Sequence, residues 1–444
     1  MNRLRGAAFV ATGLLMGVTG TASSQDITVA RPPQGIFGGI RPDVRPTKRL
    51  DFGLSLVEAY DDDVPQTVQQ TLDPSGLQTG GFSTLLNANA SYSWRRQRTE
   101  IGANVASSVR HYSELQEVRS MGHSAGLGVS TEMPGAVKLF FNQAASYSPT
   151  YFYGLLPTDT NLIVGDAHTT SPDFTVSDLE SYLYQTTASL QKTFSPRRNL
   201  TVGGDYSYTD RLNESDLWRD IDSYGVHTMY SEKVGRNTAL TGELRYRSGE
   251  FGYGGDGTTT EVATSVGVDY SRRLSASRRV SVRANVGVSA SDLPESTTHV
   301  AGFQRQYRTI GESTVIYQFG RSWQMRTDVR RGVEYLADLP EPVFATGLGA
   351  GVDGLLSQRV DFSAAVGYSS GASILTQNTL EYDTYAGNAK VRYALNRSLA
   401  LYVQYLYYYY VFRGNTQLLA GIPSGLERNG ARAGLTLWLP VLRK

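Results

Sequence analysis

The feature that most restricts this chain is a strict period-two alternation kept up over segments of about 10 to 14 residues. That is long for a strand in a soluble protein but matches a tilted crossing of a bilayer core. Val280, Val282, Ala284, Val286 and Val288 alternate with Ser281, Arg283, Asn285, Gly287 and Ser289, and Val262, Thr264, Val266, Val268 and Tyr270 with Ala263, Ser265, Gly267, Asp269 and Ser271. Leu240, Gly242, Leu244 and Tyr246 alternate in the same way with Thr241, Glu243, Arg245 and Arg247. A soluble sandwich would alternate too, with its apolar face turned inward. Strand length and loop rhythm separate the two cases. Segment ends are often aromatic, as at Tyr92 and Trp94, Tyr206 and Tyr208, Trp323 and Tyr335, and Tyr407 to Tyr410. Such positions suit the two membrane interfaces, where a ring sits at headgroup level with its polar tip wet. Composition agrees: Gly 46 and Tyr 28 against Phe 15 in 444 residues favour many strands and tight turns. A mean hydropathy of -0.29 and the lack of an apolar run of about 18 residues exclude helical spans.

Tight turns recur at Arg95 to Arg98, Pro134-Gly135, Ser195 to Arg198, Gly235 to Asn237, Ser275 to Arg279, Gly320 to Ser322, Ser357 to Arg359 and Asn396-Arg397. Most are about 40 residues apart, which is one hairpin per repeat. Between them lie longer connections rich in Asp, Asn, Gly and Pro: Asp61 to Gly81, Pro149 to Glu180, Asp210 to Arg219, Ser291 to Thr298, Leu336 to Pro342 and Arg413 to Leu426. Eight short turns and nine long loops predict an all-β, transmembrane, up-and-down antiparallel β-barrel of about 18 strands, with 16 as the other count. A propeller is excluded because its blades hold four short strands each, whereas these repeats hold two long ones.

The first residues read as an export signal, with Arg3 and Arg5, an apolar stretch from Ala7 to Val18, and the small residues Gly20 to Ser24. The expected organisation is a signal peptide over 1–24, a periplasmic Pro/Arg-rich arm over 25–49 and an outer-membrane barrel over 50–444. Losing Arg3 and Arg5 and no acid moves the formal charge from +1 to about -1. That balance argues against a nucleic-acid partner. Zero cysteines exclude disulfides and thiol chemistry and suit a Gram-negative envelope. The expected location is the outer membrane.

Charge sorts with side. The short turns are basic (Arg95, Arg96, Arg98, Arg197, Arg198, Lys233, Arg236, Arg278, Arg279), which would suit anionic headgroups of the inner leaflet. The long loops are acidic (Asp61 to Asp63, Asp159, Asp166, Asp173, Asp178, Glu180, Asp210, Glu214, Asp216), without the spacing of a calcium loop. These acids read as solvated. Alternation turns Glu100, Asn104, Arg110, Glu243, Arg245, Arg247, Arg283, Arg308, Glu312, Arg326, Asp328, Arg330, Glu334, Lys390 and Arg392 toward the lumen. There they either line a permeation path or pair with one another to brace the wall. Tyr151, Phe152 and Tyr153, in the longest connection, are candidates for an infolded constriction or a sugar-stacking platform, with an external lid or a disordered loop as the other reading. No two of the five histidines (His111, His123, His168, His227, His299) share a spacing that suggests a metal site or a triad. The sequence therefore predicts no enzyme, no metal and no cofactor.

The segment Leu50 to Tyr60 followed by Asp61-Asp62-Asp63, together with the ending Gly434-Leu435-Thr436-Leu437-Trp438-Leu439-Pro440, resembles a family of outer-membrane β-barrel porins often encoded with exopolysaccharide clusters. Asp63 stands where that family usually has Asn, and Pro440 to Lys444 extend past the strand recognised at the terminus. The resemblance implies a pore or accessory barrel in surface-polysaccharide export, with no catalytic residues. The expected partners are outer-membrane lipids and lipopolysaccharide, the barrel assembly machinery, and polysaccharide with periplasmic export proteins. A plugged barrel acting as a surface lectin and a general diffusion porin are the alternatives.

Overall fold

A computed structural model describes residues 47–65, 78–112, 119–149, 180–211, 221–250, 258–292, 305–320, 322–334, 343–373, 381–413 and 425–443. They form eighteen strands. The first nine are β1 (Lys48–Pro65), β2 (Gln78–Arg96), β3 (Thr99–Tyr112), β4 (Arg119–Met133), β5 (Val137–Pro149), β6 (Glu180–Ser195), β7 (Arg198–Arg211), β8 (Ile221–Lys233) and β9 (Thr238–Glu250). The second nine are β10 (Thr258–Ser275), β11 (Arg278–Asp292), β12 (Arg305–Phe319), β13 (Trp323–Glu334), β14 (Val343–Leu355), β15 (Val360–Ser373), β16 (Glu381–Ala394), β17 (Leu399–Arg413) and β18 (Gly425–Arg443). Each strand pairs antiparallel with the next, and β1 pairs with both β2 and β18, so the sheet closes. Closure leaves no edge, which lets strands cross lipid with their backbone groups paired.

The strand count of 18 and all eight short turns stand as the sequence predicts. Four of the turns owe their sharpness to a side chain at the strand end that accepts a backbone N–H. Ser195 accepts from Arg197, Ser275 from Ser277 and Ser357 from Arg359, each at 3.3 Å, and Asn396 accepts from Ser398 and Leu399 at 2.8 and 2.9 Å. The segments read from the sequence as an export signal and a periplasmic arm lie outside the described residues up to residue 46, and β1 begins at Lys48, inside the expected arm; the spans between strands across the nine long connections lie outside the described residues as well. Tyr151, Phe152, Tyr153 and Tyr335 fall there.

Alternation separates an apolar outer face from a polar inner one. Val266 and Val286 pair across β10 and β11 with 66% and 56% of their surface exposed, while Gly267 and Asn285, one residue on, pair on the opposite face. Apolar side chains exposed around a closed barrel are what a lipid solvent stabilises. Aromatic contacts run around the outer face near the long-loop end, including Tyr60–Phe82 at 5.0 Å, Tyr147–Tyr182 at 5.1 Å and Tyr368–Tyr385 at 4.9 Å between ring centroids. Near the short turns Trp323 lies between Phe319 and Phe362.

Three sequence expectations need correction. Asp61 and Asp62 do not belong to a solvated loop: β1 continues through them, Asp61 is buried on the inner face, and Asp62 accepts from both Asn429 nitrogens on β18. The run Tyr407 to Tyr410 is not wholly interfacial, because period two sends Tyr408 and Tyr410 inward, where both are buried. Residues Pro440 to Arg443 do not overhang the last strand; they continue it, and a bulge between Leu50 and Asp51 keeps β1 in step with them.

Candidate functional site: the inner wall

The inward ionic residues are organised as ladders whose partners are set by strand register. Arg283 on β11 donates to Asp269 on β10 at 2.7 Å, and Arg392 on β16 to Asp361 on β15 at 2.6 Å. Arg326 donates to Asp328 at 2.8 and 3.0 Å, the same carboxylate that accepts from Thr314 of β12. Arg330 and Glu334 approach at 3.7 Å. Glu243 and Arg245 sit half-buried on β9, with Arg245 opposite His227 of β8. Glu100 is exposed near the short turns, in register with Arg95 and Ser130. Arg110 is fully buried, 4.0 Å from Asp61, which also holds Arg428 at 2.5 Å. Asp61 thus links three strands across the closure point, a role that the sequence pattern alone does not reveal.

Side-chain cover divides the inner wall. Along β14 to β18 and β1 to β3 most inward side chains are buried. Val57, Leu85 and Tyr402 form one cluster, while Leu355 and Trp438 pack on Ala394 and Ala400. Tyr408, Tyr410 and Phe412 meet edge to face at 6.0 and 5.4 Å between ring centroids, and Lys390 lies 4.6 Å over the Tyr402 ring. Small neighbours make this possible: a Cβ on Gly434 would lie 2.9 Å from Tyr402, and one on Gly371 2.5 Å from Tyr382. Period two in the tyrosine run was the one signal that could have located this aromatic ladder.

The wall from β5 to β8 differs. Its inward residues include Asn142, Gln185, Thr187, Ser189, Thr201, Asp205 and Ser207, all half-buried, and Asn142 donates to Thr187 at 3.3 Å. This surface offers mainly neutral donors and acceptors, with Asp205 as a lone charge among those residues and Lys138, near the short turns, over the Phe140 ring. Such a wall hydrogen-bonds water or a hydroxylated solute without holding an ion strongly.

Ser107 and His123 meet at 3.0 Å on the outer face. Among the described residues no carboxylate or amide orients the other ring nitrogen, so the pair lacks the third member of a hydrolytic triad. No group of three or more metal-ligating side chains occurs among the described residues.

No family model matches the sequence, and no curated protein does. Solved structures that resemble the chain include OccK2 (OpdF) of Pseudomonas aeruginosa in complex with glucuronate, 10% identical over 89% of this chain and 98% of that one, with a TM-score of 0.43. OccK8 (OprE) of the same organism is 9% identical over 89% and 98%, with a TM-score of 0.42. The FrpB iron transporter of Neisseria meningitidis is 8% identical over 88% and 81%, with a TM-score of 0.46.

Proposed function

We propose that this chain is an outer-membrane channel for small polar solutes, with the short turns in the periplasm and the long loops outside. The observation that carries this reading is a closed 18-stranded barrel, apolar outside, whose inner wall is lined by ionic ladders and neutral hydrogen-bonding groups. Barrels of 16 to 18 strands are wide enough to hold an aqueous passage. Arginines matched to aspartates on the same or the neighbouring strand leave the wall locally dipolar, so it orients dipolar solutes without trapping one sign of charge. In planar bilayers the purified barrel should produce discrete conductance steps, and persistent silence of correctly folded protein would overturn the channel reading.

A second reading is a plugged barrel that binds surface carbohydrate through its loops. Burial of the inward side chains from β14 round to β3 favours it, because an open aqueous lumen would wet that wall. The same conductance measurement separates the two. A role in exopolysaccharide export is the narrower proposal and rests on the resemblance of the first and last strands. Loss of polymer secretion in a deletion strain, restored by the intact gene, would support it.

A further inference from the structure

The ladder between β12 and β13 stops short at the long-loop end. It runs from Phe319–Trp323 to Gly311–Arg331 and no further. Yet β12 stays paired with β11 up to Arg305, and β13 with β14 up to Glu334. The rungs that would join 310 with 332, 309 with 333 and 308 with 334 are missing, and a Cβ on Gly332 would meet nothing within 4 Å.

Side chains cross the wall at this gap. Alternation puts Arg308 on the inner face with Glu312, and Arg331 and Phe344 on the outer face with Val329 and Leu348. The guanidinium of Arg308 nevertheless lies 4.8 Å from the Phe344 ring centroid, and that of Arg331 lies 5.2 Å from the same centroid. Arg283, Arg305, Arg326 and Arg392 are each matched to an aspartate. Among the described residues, Arg308 and Arg331 face no carboxylate. Arg308 does donate to Gln306 at 2.8 Å, and Tyr307 beside it is 70% exposed. Two planar guanidiniums on one aromatic platform, open to the membrane surface, can donate in pairs to the several acceptor oxygens of a tetrahedral phosphate group.

We propose that the splayed ends of β12 and β13 form a site at the outer-leaflet surface where Arg308, Arg331 and Phe344 bind the phosphate of a glycolipid headgroup of the lipid A class. The proposal rests on the outward orientation of the long loops adopted above. Binding there would seal the gap with a lipid headgroup and tie the barrel to the leaflet around it.

Native mass spectrometry of the detergent-folded full barrel, with bisphosphorylated lipid A, its dephosphorylated form and inorganic phosphate as probes, tests the site. The phosphorylated lipid should bind at least about tenfold more tightly than the dephosphorylated one, and Arg308→Gln combined with Arg331→Gln should abolish that preference. Arg331→Gln alone, at an exposed position, should halve the preference on a free-energy scale, and Arg305→Gln, whose partner is Asp292, should leave it intact. Equal binding of the two lipids, no change in the double variant, or displacement by millimolar inorganic phosphate as effective as by lipid A would overturn the assignment. Conductance of the same samples keeps the two readings apart. A conducting barrel without lipid discrimination loses only this site, and a silent barrel that discriminates loses only the channel.

Discussion

The inner walls of β5 to β8 and of β14 to β18 with β1 to β3 are built on the same strand geometry and the same alternation, yet their side chains meet different surroundings. On β14, Val343, Ala345, Gly347, Gly349 and Gly351 are successive inward positions and all are buried. On β5 and β6, the inward residues Asn142, Ala144, Gln185, Thr187 and Ser189 are all half-buried. The first wall carries aromatic ladders and locked ion pairs, whereas the second carries amides and hydroxyls. The difference teaches that pointing inward and being wet are separate properties in a barrel this wide. The neutral wall is the better candidate for a solute path, and the covered wall for structural support.

The contrast breaks most readily at Asp61. Replacing it with Ala removes a buried carboxylate from Arg110 and Arg428 and should cost roughly 3 to 5 kcal/mol, since it strips buried cations of a partner. Heat-modifiable migration and urea titration of the refolded barrel would read this. A loss of less than about 1 kcal/mol would mean that the covered wall is not braced there.

Outside both walls, Val286→Arg should destabilise by about 2 to 4 kcal/mol near the bilayer midplane. Asn285→Arg, on the other face of β11, should be tolerated. Equal losses for the two would break the assignment of faces on which the whole comparison stands.

Replacing Arg326 and Arg330 together by Ala should leave insertion intact and shift ion preference toward cations, because two positive charges leave a confined passage. Reversal potentials under a salt gradient measure this. An unchanged value would assign these arginines to the covered, bracing part of the wall.

The smallest stability effect belongs to the open wall. Asn142→Ala should change stability by no more than about 0.5 kcal/mol. It should still alter single-channel current, since the amide removed faces the neutral path. Unaltered current would move the path elsewhere on the wall.

By itself the sequence determined the strand count, the short turns and the two faces. These depend on period two and on local turn chemistry: Ser195 and Asn396 need only their own neighbours to turn the chain, and Val286 and Asn285 need only the pleat to point apart. It also marked Glu100, Arg110, Glu243, Arg245, Arg283, Arg326, Asp328, Arg330 and Arg392 as inward, because alternation applies to charged residues as it does to valines. Which charge answers which was decided by tertiary structure. Arg392 finds Asp361 across the β15–β16 pairing, at the end far from the connection between them, and Arg428 finds Asp61 only once the last strand has closed on the first. The covered and open walls, the inward turn of Tyr408 and Tyr410 and the early end of the β12–β13 ladder were decided there too. Such features depend on register and closure between strands far apart in the chain. A residue's own neighbours in sequence carry no information about the strand that will lie beside it, nor about what will fill the space it faces.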